Sequence, residues 1–372
     1  MKKILKVPAL MMVIVLMISS VTYAENTGSA PVSDTYTLTL NQAIEMAMKD
    51  NLQLISADTK IKDAKRQKED AQKTQREQKG FIRLPDGFAL VAVKQGYYVK
   101  QADVGIKSAN YEKEQAIAKL SYDVTQKYYS VKLMEALCEN ANNAYKLALE
   151  NKTTIDAQFE LGMVAELDVN NASYNVNQAK AALDKCSRNY DIAKRSLIIS
   201  LQIENPAAEL ILTDTIDYET FSADVDKDID KAMTTRFDVF SLESALSLAK
   251  SYRDVTLALG HSSPEYSAAN QTVVQSEYNC TNNKKLIGLS IRTAYNDILN
   301  ASDSVHLAEE NVKLCKQEYS IAEIQYDLGM ITNTQLSAAL NAATAAETEL
   351  ENSKLTYKLA VIKYGYDITI GL

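Results

Sequence analysis

The sequence predicts an all-α protein made of two tandem, long antiparallel coiled-coil helical hairpins, with at most one short β-hairpin. The first observation behind this prediction is an internal repeat: residues 158–164 (QFELGMV) recur as residues 325–331 (QYDLGMI), an offset of 167 residues. The second is that a long alanine-rich run with helical spacing of apolar residues precedes and follows each copy. A glycine between two helical runs is typical of a helix C-cap in a tight turn, so each copy predicts the bend of one hairpin.

Apolar residues recur in alternating steps of three and four along both arms of each predicted hairpin, and we call these positions the seam. A 3.5-residue period predicts left-handed coiled-coil packing of the two arms, and the run from 97 to 160 predicts a helix of ~96 Å. In the first hairpin the seam consists of Val131, Met134, Cys138, Ala141, Tyr145, Ala148, Lys152 (the polar exception), Ile155, Phe159, Val169, Ala172, Val176, Ala179, Leu183, Cys186, Tyr190, Ala193 and Leu197. In the second it consists of Ile298, Ala301, Val305, Ala308, Val312, Cys315, Tyr319, Ala322, Tyr326, Leu336, Ala339, Ala343, Ala346, Leu350, Ser353, Tyr357, Ala360 and Tyr364.

A further apolar line lies off this seam in the second hairpin, and we call it the outer line. Leu307, Leu314, Ile321 and Leu328 recur at every seventh residue. A second apolar line on one helix predicts a second neighbouring helix, as in a closed ring of helices. The first hairpin matches this line poorly.

The segments outside the hairpins divide the chain. Residues 1–24, with three lysines, an apolar run and a small-residue cleavage site, predict a secretory signal peptide. An uncleaved signal anchor is the alternative, although the apolar run is shorter than the ~18–20 residues of a spanning helix. The predicted division is then a leader at 25–38, hairpin repeat 1 at 39–204, a joint at 205–224 with a β-like stretch at 210–213, and hairpin repeat 2 at 225–372.

Repeat 1 opens with an ascending helix and carries an insertion at its far end. Thr39 is the predicted N-cap of a helix that continues to Lys79. Residues 80–96 form the insertion, where Pro85-Asp86-Gly87 is a turn signal that predicts a short β-hairpin. The corresponding place in repeat 2, residues 260–264, predicts a bare turn.

The composition argues against several functional classes. Removal of the signal peptide lowers the formal net charge from −8 to −11, which argues against a nucleic-acid partner. The four cysteines and two histidines form no metal-ligand or nucleophile pattern, so we expect no metal, no cofactor and no enzyme activity. Three of the cysteines (Cys138, Cys186 and Cys315) fall on the seam, where we interpret them as buried small hydrophobic residues.

These features together resemble the TolC-type outer-membrane efflux protein family. The resemblance includes the Leu-Thr-Leu opening at 38–40 with its alanine-rich helix, the Tyr/Phe-x-Leu-Gly turns, the duplication and the terminal Ile-Gly-Leu at 370–372. It covers nearly the whole chain after the signal peptide. It implies a protomer of an α-helical barrel, a homotrimer, and a periplasmic adaptor (membrane fusion) protein and inner-membrane pump as partners. It also implies adaptor docking by Leu161, Gly162, Met163, Val164, Leu328, Gly329, Met330 and Ile331.

The sequence departs from the family at two places. A membrane-spanning strand needs ~9–11 residues, and the two far-end connections are shorter than the strand pairs that the family inserts there, so its β-barrel strands are largely missing. The second departure is at the aperture, where the family has acidic residues after the second turn. Here Gln335 and Ala338 stand at those places and only Asp168 of the first hairpin is acidic, so the aperture candidates are Asp168 and Gln335.

Two functional hypotheses follow. One is a TolC-like channel or duct component of a cell-envelope efflux or export system, exported and placed at the outer membrane by resemblance. The other is an exported coiled-coil structural or scaffolding protein, derived from such ducts, that does not conduct through a membrane. The oligomeric state discriminates between the two.

Overall fold

The computed structural model describes residues 35–78, 87–216 and 218–371. The predicted signal peptide at 1–24, most of the leader, Lys79 and residues 80–86 of the predicted insertion lie outside the described residues. The elements of the first half are β1 (Thr35–Leu38), α1 (Leu40–Met48), α2 (Leu52–Gln78), α3 (Gly87–Lys94), α4 (Tyr97–Glu160) and α5 (Glu166–Ser200). Those of the second half are β2 (Glu209–Leu212), α6 (Val225–Thr235), α7 (Phe237–Thr256), a 3-10 turn (Leu257–Leu259), α8 (Pro264–Asp327) and α9 (Asn333–Asp367).

The predicted all-α fold of two long helical hairpins is confirmed. Helices α4 and α8 have 64 residues each, and α5 and α9 have 35 residues each. The internal repeat therefore has the same arm lengths in both copies. Of the 36 seam positions, all but Phe159 are buried or half-buried, as expected of residues that face the other arm.

The ascending helix is shorter than predicted. Thr39 is the N-cap, in a capping box with Gln42, whose side-chain oxygen accepts from the Thr39 N–H at 2.9 Å. The continuous helix expected up to Lys79 is wrong, because the chain breaks between α1 and α2 at Asp50, which has φ 55°. Aspartate is one of the few residues that tolerate this left-handed conformation. Repeat 2 has a matching break at Arg236, between α6 and α7.

The predicted β-hairpin at 80–96 is wrong where the chain is described. Residues 87–94 form helix α3, whose Leu90, Ala92 and Val93 are buried. A short apolar run fits a strand or a buried helix equally well on periodicity alone, and packing decided for the helix. The β-like stretch at 210–213 does form a strand, β2, which pairs in parallel with β1.

Two hydrophobic cores lie at the bases of the hairpins, away from the turns. The first packs β1, α1 and β2 on α4 and α5, and the second packs α6 and α7 on α8 and α9. A tyrosine ties the connecting backbone to each core. Tyr128 OH donates to the Leu38 carbonyl at 2.9 Å, and Tyr357 OH donates to the Glu219 carbonyl at 2.7 Å. These bonds fix the bases, so that the arms extend from them toward the turns.

The cysteines of the first hairpin are not the buried thiols that we expected. Cys138 of α4 and Cys186 of α5 form a disulfide, with their Cα atoms 5.4 Å apart. The reason is the register of the hairpin: both residues lie 24 positions from Gly162, so the antiparallel arms bring them opposite each other. Cys315 on the second seam is a free, half-buried thiol.

The outer line has no partner among the described residues. Leu307, Leu314, Ile321 and Leu328 are between 53% and 69% exposed. Among the helices that the structure describes, none combines the length and hydropathy needed to span a bilayer.

Candidate functional site: the hairpin turns

The backbone of the first turn forms a Schellman motif. The Gly162 N–H donates to the Phe159 carbonyl at 2.9 Å, and the Met163 N–H donates to the Gln158 carbonyl at 2.8 Å. Gly162 has φ 73°, a conformation that costs any residue with a Cβ. The glycine therefore ends α4 and reverses the chain.

The second turn repeats this geometry. The Gly329 N–H donates to the Tyr326 carbonyl at 2.9 Å, the Met330 N–H donates to the Gln325 carbonyl at 2.8 Å, and Gly329 has φ 70°. The two turns are thus structurally equivalent at the level of individual hydrogen bonds. This equivalence places the eight residues that we predicted for docking in corresponding positions.

The turns expose large apolar side chains. Leu161, Met163, Leu328 and Met330 are between 69% and 75% exposed, whereas Val164 and Ile331 are half-buried. Contiguous exposed apolar residues are a feature of protein interaction sites. Methionine adapts its shape to a partner more readily than branched residues. Each turn therefore presents a leucine and a methionine to the surroundings, and no residue with a charge stands between them.

The aperture candidates have a local structural role. Asp168 Oδ2 accepts a hydrogen bond from the Ala165 N–H at 3.0 Å, and Gln335 Oε1 accepts one from the Thr332 N–H at 2.9 Å. Thr332 completes its capping box by accepting from the Gln335 N–H at 3.4 Å, which Ala165 cannot do. Asp168 and Gln335 thus cap the starts of α5 and α9, and an aperture role stays a prediction.

Polar contacts join the two hairpins close to the turns, and sequence reasoning missed them. Asn151 Nδ2 of α4 donates to Asn333 Oδ1 of α9, and Asn175 Nδ2 of α5 donates to Ser337 Oγ at 3.0 Å. Asn151 Oδ1 and Asn333 Nδ2 are buried, and neither has a hydrogen-bond partner in the part of the chain that the structure describes. Asn151 and Asn333 are 182 residues apart, and no local pattern in the sequence signals such a pair.

The described residues contain no group of three or more histidine, cysteine, aspartate or glutamate side chains arranged to hold a metal ion. The two histidines are apart. His261 packs against Tyr266 at the far end of α8, and His306 Nε2 lies 3.0 Å from Tyr218 OH near the second core.

Comparison with known proteins supports the same fold. Residues 258–363 match the model of the outer membrane efflux protein family, which confirms the resemblance in the second repeat. The CmeC outer membrane channel of Campylobacter jejuni is similar in structure, with TM-score 0.69 and 15% identity over 88% of this chain and 85% of that one.

Two further solved structures are similar at comparable levels. CusC matches with TM-score 0.73 and 12% identity, covering 89% of this chain and 92% of its own. VceC of Vibrio cholerae matches with TM-score 0.65 and 14% identity, covering 87% and 95%. No functionally curated protein matches the sequence. At identities this low, the structural similarity establishes a shared fold.

Proposed function

We propose that this chain, whose fold is that of the TolC-type outer-membrane efflux proteins, is a duct component of a cell-envelope efflux or export system. Three copies form an α-helical tunnel, and the chain performs no chemistry of its own. The hairpin turns dock a periplasmic adaptor protein, which links the duct to an inner-membrane pump. The observation that carries the proposal is the pair of equivalent turns, each presenting exposed leucine and methionine at the end of a 64-residue helix.

The outer line supports assembly into a ring. Its four residues are exposed and recur at heptad spacing, the spacing at which apolar residues of one helix pack against a neighbouring helix. The seam already holds α9 against the other side of α8, so the outer line is free for a helix of the next protomer. A helix with partners on two sides is the unit from which a closed tube of helices is built.

The turns support docking at the adaptor end. Leucine and methionine at corresponding places in both hairpins give one protomer two similar apolar contacts, so a trimer presents six. The eight turn residues are the docking candidates. Asp168 and Gln335 lie one helical turn behind them and are the residues nearest an entrance.

An exported coiled-coil scaffolding protein remains the second candidate. It is favoured by the short connection at 260–263, which joins the 3-10 turn after α7 to the start of α8. This connection leaves few residues for contact with a membrane at that end. A scaffold of this kind needs the hairpins and the turns but no closed ring.

Oligomeric state separates the two candidates. The signal-free chain, residues 25–372, is purified and examined by light scattering and electron microscopy. A ring-shaped trimer is the expected result, and a monomer or dimer at micromolar concentration contradicts the duct.

A matched pair of variants connects the result to the outer line. Leu314→Glu places a charge on that line and is expected to abolish the trimer. Ser320→Glu adds the same charge at an exposed position of α8 that lies roughly 120° around the helix from Leu314, and is expected to leave the trimer intact. Equal effects of both variants count against the outer line as the interface.

A further inference from the structure

A cavity of about 1030 Å³ lies between the two hairpins, close to the turns. All four long helices line it, with residues from 137–154 of α4, 175–186 of α5, 319–327 of α8 and 336–348 of α9. Cys186 of the disulfide is at one end of the cavity, and Asn151 of the buried amide pair is near the turns. Its volume suits a ligand of drug size, for which sites are typically ~300–1,000 Å³.

The charged residues of the lining all have the same sign. Glu150, Glu323 and Asp327 line the cavity, and no lysine, arginine or histidine does so among the described residues. All three carboxylates are on exposed residues, and none has a basic ion-pair partner in the part of the chain that the structure describes. They form a negative rim without an internal counter-ion.

The equivalent place in the first hairpin does contain a counter-ion. Glu323 corresponds to Asp156 and Tyr319 corresponds to Lys152, at the offset of 167 residues. Lys152 Nζ lies 2.5 Å from Asp156 Oδ2. In the second hairpin Tyr319 stands in place of the lysine; it interacts with Glu323 but brings no positive charge. The negative charge of Glu323 is therefore uncompensated where that of Asp156 is neutralised.

The rest of the lining mixes aromatic, apolar and neutral polar side chains. Tyr319 and Tyr326 contribute their rings, the apolar contacts come mostly from alanine and leucine, and amide and hydroxyl side chains such as Asn151 and Thr344 lie among them. The Tyr326 hydroxyl is buried and has no hydrogen-bond partner among the described residues. Burial, followed by the nearby charges of Asp168 and Asp327, raises the pKa of Tyr326, so its hydroxyl stays protonated at physiological pH. Tyrosine faces attract cations, most strongly where water is excluded.

We propose that this cavity binds an amphipathic organic cation, with the apolar body among the alanines, leucines and tyrosines and the positive charge toward Glu150, Glu323 and Asp327. The site combines uncompensated carboxylates with aromatic faces and apolar contacts, which an anion does not match. A ligand seated there contacts both hairpins at once. The site is complete within one chain, so the proposal does not rest on the duct or on a trimer.

The probe is tetraphenylphosphonium, and tetraphenylborate is its control of nearly the same size and opposite charge. Binding to the signal-free chain is measured by isothermal titration calorimetry at low ionic strength. We expect one saturable site per chain for tetraphenylphosphonium, with at least tenfold weaker binding of tetraphenylborate. Added salt weakens binding, because the rim carboxylates are exposed and therefore screened.

Two sets of variants locate the site. The triple variant E150Q, E323Q and D327N removes the rim charges and is expected to weaken binding at least tenfold. The matched control D303N, E310Q and E318Q removes the same number of charges from exposed positions of α8 outside the cavity, and is expected to change binding less than threefold.

A single variant tests the counter-ion argument directly. Tyr319→Lys recreates the Lys152–Asp156 arrangement beside Glu323 and is expected to weaken binding at least tenfold, while circular dichroism stays that of the parent chain. The proposal is overturned by equal binding of both probe ions, by equal losses in the rim and control triple variants, or by undiminished binding in a folded Tyr319→Lys chain. Failure of these tests leaves the trimer test untouched, since the latter uses no ligand.

Discussion

The disulfide between Cys138 and Cys186 gives the sharpest stability prediction. The second hairpin shows which residues can replace the two cysteines. The equivalent positions are Val305 and Ser353, which pack on the second seam. The double variant Cys138→Val with Cys186→Ser therefore makes the first seam resemble the second at this level. We expect the fold to persist and the stability to fall.

The size of the effect follows from the length of chain that the disulfide closes. The cysteines are 48 residues apart, and chain entropy for a loop of this length gives about 4 kcal/mol at 25 °C, within the usual ~2–4 kcal/mol for disulfides. Unfolding entropy of ~2.1 cal/mol/K per residue over roughly 340 residues gives about 0.7 kcal/mol/K, so the melting temperature is expected to fall by roughly 3–6 °C.

The assay is thermal unfolding followed by far-ultraviolet circular dichroism, with and without reductant. Reductant is expected to lower the melting temperature of the parent chain and to leave that of the double variant unchanged. Cys315→Ser is the control, because Cys315 is a free thiol. Titration of four free thiols in the unreduced, unfolded chain contradicts the reasoning, as does a double variant that melts with the parent.

Three further outcomes are expected. Gly329→Ala places a Cβ at φ 70° and is expected to lower the free energy of unfolding by about 1 kcal/mol, measured by denaturant titration. Gly105→Ala, in open space within α4, is expected to raise it by about 0.5–1 kcal/mol in the same titration. A reversed order contradicts the turn assignment. Asn333→Ala leaves Asn151 without its partner and is expected to lower the free energy of unfolding by about 1–3 kcal/mol. The double variant, with alanine at both Asn151 and Asn333, is expected to lose less than the sum of the two single variants. Additive losses in this double-mutant cycle argue against the amide pair. Burial, and then its hydrogen bond to Asp228, raises the pKa of Tyr364 above the ordinary value near 10. The contribution of this shift to stability is complete below pH 10 and is lost as the pH rises through the folded-state pKa. Tyr364→Phe is therefore expected to flatten the fall in melting temperature above pH 10, and an unchanged slope counts against the shift.

Features of the fold that are encoded locally could be predicted from the sequence. The seam and the glycines fix α4 at the predicted bounds, 97–160, because heptad spacing and a left-handed cap each depend on a few neighbouring residues. The break at Asp50 and the helix α3 could not be predicted, since neither has a strong local signal and packing decides both. Eight docking candidates were placed on the turns in this way, and their role stays a proposal.

Features that depend on two distant segments required the structure, with one instructive exception. The Asn151–Asn333 pair joins different hairpins, and nothing in either local sequence points to the other. Cys138 and Cys186, by contrast, are equidistant from Gly162, so the register of the hairpin was enough to pair them once the turn was fixed. In an antiparallel hairpin with a known turn, residues at equal distances from the turn face each other. By this rule, 16 of the 18 seam positions in each hairpin pair with another seam position.

The duplication separates what sets the shape from what sets the chemistry. The parts shared by the two hairpins, which are the arm lengths, the Schellman turns and most of the seam, determine where the arms lie. The parts that differ are side chains at equivalent positions: a disulfide against Val305 and Ser353, and Lys152 against Tyr319. Because the backbone is the same, each difference acts as a substitution made within one molecule. The loss of a lysine in the second hairpin is then sufficient to leave Glu323 uncompensated, and it is the reason that we expect the cavity between the hairpins to select a cation.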